Sequence, residues 1–148
     1  MGKRKKVPER QGGPGEIVKN PRGGSRAESV AQMPFRWRVN RYLDWDGPWG
    51  WCHIEIHNLL CELVPKLHDY ETMTWSEVEG PQCHFVSVDG LCGKAQRRLE
   101  ELRREVDMLF SVRITGKARV WGIREVSTLH VLWWDPEHTV YPSKKKGT

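Results

Sequence analysis

The stretch from Leu109 to Tyr141 constrains this chain most. Within it, Phe110 to Thr115 alternates apolar and polar residues, Ala118 to Arg124 does so loosely, and Leu129 to Trp134 is an apolar run rich in strand formers. Turn residues separate the three, and the pattern predicts a three-stranded antiparallel meander. In the first turn Gly116 can take the positive φ that a two-residue type II′ turn needs at its first central position. Asp135-Pro136 ends the last strand, because proline cannot donate to a ladder and restricts the residue before it. His138 and Tyr141 are left just beyond a sheet edge.

Arg113 and Arg119 flank the first turn, and register decides whether they cooperate. A two-residue loop pairs Ile114 with Arg119 and puts the arginines on opposite faces. A three-residue loop moves the second strand by one and brings Arg113, Thr115 and Arg119 together, since one step exchanges the faces. The sequence leaves both registers open.

Upstream, Phe35-Arg36-Trp37-Arg38-Val39-Asn40 alternates strictly and reads as a half-buried strand. After a tryptophan-rich turn at Asp44 to Trp51, the apolar residues Ile56, Leu59, Leu60, Leu63, Val64 and Leu67 form one helical stripe, with Pro65 predicting a kink or a break. Thr74 to Glu77 reads as a short helical turn and His84 to Val88 as extended. A second helix is expected from an N-cap at Asp89 to about Met108, with Leu91, Ala95, Leu99, Leu102 and Val106 inward and Lys94, Arg97, Arg98 and Arg104 among its outer residues. The fold class that follows is α+β: a small antiparallel sheet, made of the N-terminal strand plus the C-terminal three-stranded meander, with two or three helices packed on one face.

Charge is uneven. Residues 1 to 32 carry eight Lys or Arg against three Glu, a net +5, and Lys144 to Lys146 add +3. With a chain total of +5, residues 33 to 143 therefore carry −3. The first segment has almost no large apolar residues and reads as a disordered basic tail, since it offers too little apolar surface to offset chain entropy. The organisation expected is a tail over residues 1 to 32, one domain over 33 to 143 and a second basic tail over 144 to 148. Such tails attract phosphate in a sequence-independent, salt-dependent way, or serve as solubilising or targeting arms.

No stretch approaches 18 consecutive apolar residues and no signal-peptide pattern follows the basic start, so the expected location is the cytoplasm, with no membrane association. Cys52, Cys61, Cys83 and Cys92 form no CxxC pair and are expected to be reduced. His53, His57 and Cys61 share a helical spacing, but no HExxH motif is present and residues on three successive turns drift around a helix, so no metal or other cofactor is expected. P-loop, GxGxxG and GxSxG motifs are absent.

Ser111-Val112-Arg113-Ile114-Thr115, then Arg119 in a second strand, then a third strand closing on His138 and Tyr141, resembles the C-terminal half of the RelE/YoeB-type toxins, the small ribonucleases of toxin-antitoxin pairs. In the YoeB-type pattern histidine and tyrosine are adjacent, whereas Thr139 and Val140 intervene here. The resemblance implies a RelE-like fold and a metal-independent endoribonuclease, an mRNA interferase. Its partners would be RNA, free or ribosome-bound, and a cognate antitoxin protein. It places Arg113 and Arg119 on the phosphate, His138 as acid or base, and Tyr141 as a stacking or orienting group. The chemistry suits those residue types: histidine titrates near neutrality and the guanidinium fork donates to two phosphate oxygens. Asp135 and Glu137 are further carboxylates that either act as the base or finish the turn. Trp133 and Trp134, on opposite faces of one strand, are candidates for stacking on unpaired bases, and Arg97 and Arg98 for contacts to RNA. The alternative function is a non-catalytic nucleic-acid- or protein-binding module on the same scaffold.

Overall fold

The computed structural model describes residues 30 to 142. The chain divides into Met1–Gln32 and Met33–Thr148, and the architecture below is that of the second unit. The basic runs at Lys3 to Lys6 and Lys144 to Lys146 lie outside the described residues.

The meander forms where alternation placed it: β3 is Met108–Thr115, β4 is Ala118–Glu125 and β5 is Thr128–Asp135, paired antiparallel. The short strand β1, Arg36–Arg38, joins beside β5, and β2, His84–Ser87, joins beside β3, giving the order β1-β5-β4-β3-β2. β2 pairs antiparallel with β3, whereas β1 runs parallel with β5, with Trp37 beside Leu129. The class is α+β, with a five-stranded, mostly antiparallel sheet.

The helices lie on both faces of the sheet instead of the one face expected. The reason is in the strands: β5 is buried at seven consecutive positions, Leu129 to Asp135, and a strand apolar on both sides needs cover on both. One core holds Phe35, Leu63, Leu67, Trp75, Phe110, Val112 and Trp134. The opposite core holds Ala95, Leu99, Leu109, Trp121, Leu132 and Trp133. A register shift in the β4–β5 pairing lies between Trp121 and Gly122, so that Leu132 and Trp133 both enter the second core. Gly122 is needed there, because a Cβ would stand 2.7 Å from the His130 carbonyl oxygen.

Pro65 does not break the first helix. It falls in the first turn of α1, Val64–Tyr70, after a π-helical turn over Asn58–Leu63 whose Val64 N–H reaches back to the Leu59 carbonyl. The wider turn absorbs the missing proline donor and rotates the stripe, leaving Ile56, Leu60 and Val64 exposed while Leu63 and Leu67 are buried. The short helix α2, Trp75–Val78, is closed by a capping box between Thr74 and Glu77 and seats Trp75 in the core. The last helix, α3, spans only Gly93–Glu101. Asp89 lies in a separate 3₁₀ turn, and Arg103, at φ 57, turns the chain out of the helix well before Met108, which opens β3.

Candidate functional site

The β3–β4 hairpin brings the arginines together by a route that neither simple register foresaw. Thr115 pairs with Ala118 around a two-residue turn in which Gly116 has φ 50. The register then shifts between Arg113 and Thr115, leaving Ile114 as the extra residue and setting Arg113 directly opposite Arg119. Directly opposed residues on one face have Cβ atoms roughly 5 Å apart. Two guanidiniums thus share one patch. Burial pushes the Arg119 pKa down, Arg113 pushes it further, and Asp135 opposes them. The Arg119 Nη1 donates to the Gly116 carbonyl at 2.8 Å and the Ala118 carbonyl at 3.1 Å, which fixes the fork at the hairpin tip.

Strand alternation puts two rows on this face. Arg113, Arg119 and Asp135 form one; His84, Ser111, Trp121 and Trp133 form the next. The Trp121 indole N–H donates to Asp135 Oδ2 at 3.2 Å, joining the rows.

Asp135 builds the segment that carries His138. It is fully buried, and its carboxylate accepts from the Thr139 N–H (2.9 Å), the Thr139 hydroxyl (3.2 Å) and the Val140 N–H (3.0 Å) as well as from Trp121. Val140 is buried in the second core and anchors the far end, while the Trp49 indole donates to Thr139 Oγ1 at 2.9 Å. Between those anchors His138 adopts φ 60, the left-handed region where a non-glycine residue is strained. Burial pushes the His138 pKa down, the Arg119 and His84 charges push the same way, and Asp135 opposes them. The imidazole is therefore mainly neutral at pH 7 and able to accept a proton.

No family model, curated protein or solved structure matches this chain.

Of the residues singled out in the sequence, Arg113, Arg119 and His138 are brought together. Tyr141 is partly exposed and stands near Gly90; among the described residues no hydrogen bond joins it to the arginines. Trp133 and Trp134 are not stacking platforms. They are 0% and 4% exposed and belong to the two opposite cores, because both faces of β5 are covered. Arg98 is not available to RNA either: its Nε and Nη2 donate to the buried Asp44 carboxylate at 2.9 and 2.7 Å, and Nη1 pairs with Glu101. Burial alone would raise the Asp44 pKa, but hydrogen bonds from Arg98 and Trp133 hold it below the ordinary carboxylate value. Arg97 lies exposed on the outer side of α3. Asp135 finishes the turn, and Glu137 pairs with Lys117 at 2.8 Å on the surface, which raises the Lys117 pKa.

His84 is the site residue that sequence reasoning missed. It sits opposite Ser111 on β2, and its Nδ1 is buried without a hydrogen-bond partner among the described residues. Its only signal was membership of a short extended stretch, and pairing β2 with β3 would have exposed its place.

Proposed function

We propose that the protein is a RelE/YoeB-like toxin acting as a metal-independent endoribonuclease on mRNA. The observation that carries this reading is the direct pairing of Arg113 with Arg119 within electrostatic reach of His138. Cleavage of an RNA phosphodiester by its own 2′ hydroxyl requires a base for the 2′ proton and cations for the charge that builds on phosphate. The neutral imidazole of His138 serves as the base, and the two guanidinium forks hold the non-bridging oxygens. The partners under this reading are RNA, free or on the ribosome, and a cognate antitoxin protein, and the setting is the cytoplasm.

The test is incubation of RNA with the purified protein in chelator, with and without ribosomes, beside Arg119→Ala and His138→Ala. Induced expression of the three proteins provides the matching growth assay. Wild type should cut RNA to 2′,3′-cyclic phosphate ends and arrest growth, and each variant should lose roughly 100-fold or more in rate. Intact RNA with wild-type protein under both conditions refutes the reading.

A second reading, a binding module without catalysis, is favoured by the apolar groove on the other face of the sheet. The groove encloses about 520 Å³ between Trp37, Leu43, Trp45, Trp51 and Leu59, and Trp45 is 63% exposed at its rim. Under that reading His138→Ala leaves function untouched, while deleting residues 1 to 32 weakens binding.

A further inference from the structure

We propose that His84 is the second proton-transfer group of the site, acting across one RNA phosphodiester from His138 as the acid that protonates the leaving oxygen. The inference rests on the ribonuclease reading above and assigns the half of the reaction that reading leaves open.

His84 shares the sheet face of Arg113 and Arg119 and is diagonal to Arg113 across the β2–β3 pair, since its direct partner is Ser111. β2 and β4 are two strand spacings apart, roughly 10 Å. A phosphate gripped by the arginines on β3 and β4 would have His84 on its β2 side, and His138 follows three residues after Asp135, which pairs with Arg119. The His84 charge is among those that push the His138 pKa down.

The second observation is the buried Nδ1 of His84, which has no hydrogen-bond partner among the described residues. Buried polar atoms are nearly always paired, so this orphan sets the His84 ring apart from ordinary packing; because Nδ1 is inaccessible, the nitrogen that would meet a substrate oxygen is Nε2 of the half-buried ring. The third is elimination among the groups that face the pair. Asp135 is occupied by four donors, and Glu137 is tied to Lys117 at the surface. The Tyr70 hydroxyl donates to the Arg113 carbonyl at 2.9 Å and accepts from Cys83, while burial raises its pKa beyond any use near neutrality. The two histidines are the remaining groups suited to proton transfer at neutral pH.

The step balances. His138 takes the proton of the 2′ hydroxyl, the 2′ oxygen forms a bond to phosphorus, the bond from phosphorus to the 5′ oxygen breaks, and that oxygen leaves with a proton from the His84 imidazolium. The products are a 2′,3′-cyclic phosphate and a 5′ hydroxyl, with His138 protonated and His84 neutral until solvent exchanges the protons.

The experiment compares wild type, His84→Asn, His84→Gln and His138→Asn on the same RNA in two forms. One form is native; the other carries sulfur in place of the bridging 5′ oxygen at the position the wild type cuts, a leaving group that needs no acid. Folding of each variant is checked by thermal melting. On native RNA the His84 variants should lose roughly 10² to 10⁴-fold. On the sulfur-bridged RNA they should cut near the wild-type rate, while His138→Asn stays slow on both. Folded His84 variants that cut native RNA at the wild-type rate overturn the proposal. So does an equal loss on both RNAs, which would make His84 a packing residue. Wild-type protein that cuts neither RNA refutes the ribonuclease reading itself, a different outcome from either.

Discussion

Replacing Asp135 by asparagine tests whether one buried carboxylate holds both the fold and the site. Each of its oxygens accepts two hydrogen bonds: Oδ1 from the N–H and hydroxyl of Thr139, Oδ2 from Trp121 and Val140. Asparagine turns one of those acceptors into a donor facing donors. A hydrogen bond to a charged group contributes about 1.5 to 3 kcal/mol net; with the amide nitrogen toward Thr139 the hydroxyl can turn to accept, but the Thr139 N–H loses its acceptor and the bonds from Trp121 and Val140 lose their charge, so Asp135→Asn should destabilise the domain by about 3 kcal/mol. The same change releases the tether that keeps His138 at φ 60, so RNA cleavage measured well below the melting temperature should also drop. Urea unfolding gives the first quantity, provided the slope of the transition is unchanged. Amide hydrogen exchange at Thr139 and Val140 locates it. A variant within about 0.5 kcal/mol of wild type, with both amides still protected, refutes the assignment of Asp135 as the organiser of this segment.

Asp44 sits behind the second core with Arg98 and Trp133 as donors, and Arg98→Ala strands it; the loss should be about 3 kcal/mol by thermal or urea unfolding. Because the Asp44 pKa is lowered in the folded chain, its stabilisation is present above the ordinary value of 3.8 and is lost as pH falls through the folded value; Asp44→Asn should flatten that acid dependence. His138 carries the opposite charge type: its lowered pKa means the unfolded chain binds the proton first, so stability falls as pH drops below 6.5 and levels off below the folded value. Arg119→Gln removes a charge that lowers it, so the His138 ring resonances should titrate at higher pH by NMR. Arg113→Gln should remove the repulsion between opposed guanidiniums and raise stability by about 0.5 kcal/mol while lowering cleavage; a loss of stability would show that the pair is not strained.

The meander, the capped turn at Thr74 and the buried stripe through Leu63 and Leu67 were legible because local pattern and final packing agree there. What escaped were features set by contacts distant in sequence. Arg98 meets Asp44 across 54 positions, and nothing in the spacing of α3 distinguishes it from Arg97, which faces solvent. The length of α3 was overestimated because Arg103 to Glu105 continue the mixed charge of a helix surface after the backbone has turned at Arg103. β2 was recognised only as extended, and its pairing with β3, which gives His84 its place, is a tertiary fact. The bulge at Ile114 combines a two-residue turn with the pairing of a longer loop, which no single turn length specifies.

The residues of the site are also where the chain departs from what folding alone favours. Like charges opposite each other in a ladder are unfavourable, yet an extra residue at Ile114 is kept that makes Arg113 and Arg119 meet. A histidine at positive φ costs strain, yet a buried aspartate with four donors holds it there. A buried imidazole nitrogen without a partner costs desolvation, and His84, which carries it, is on the sheet face of the two arginines. Each departure is unfavourable by itself, and an anion held between the guanidiniums would offset the first of them. Local conflicts of this kind are expected at functional sites, and under the proposed ribonuclease reading the anion that the two arginines would hold is an RNA phosphodiester.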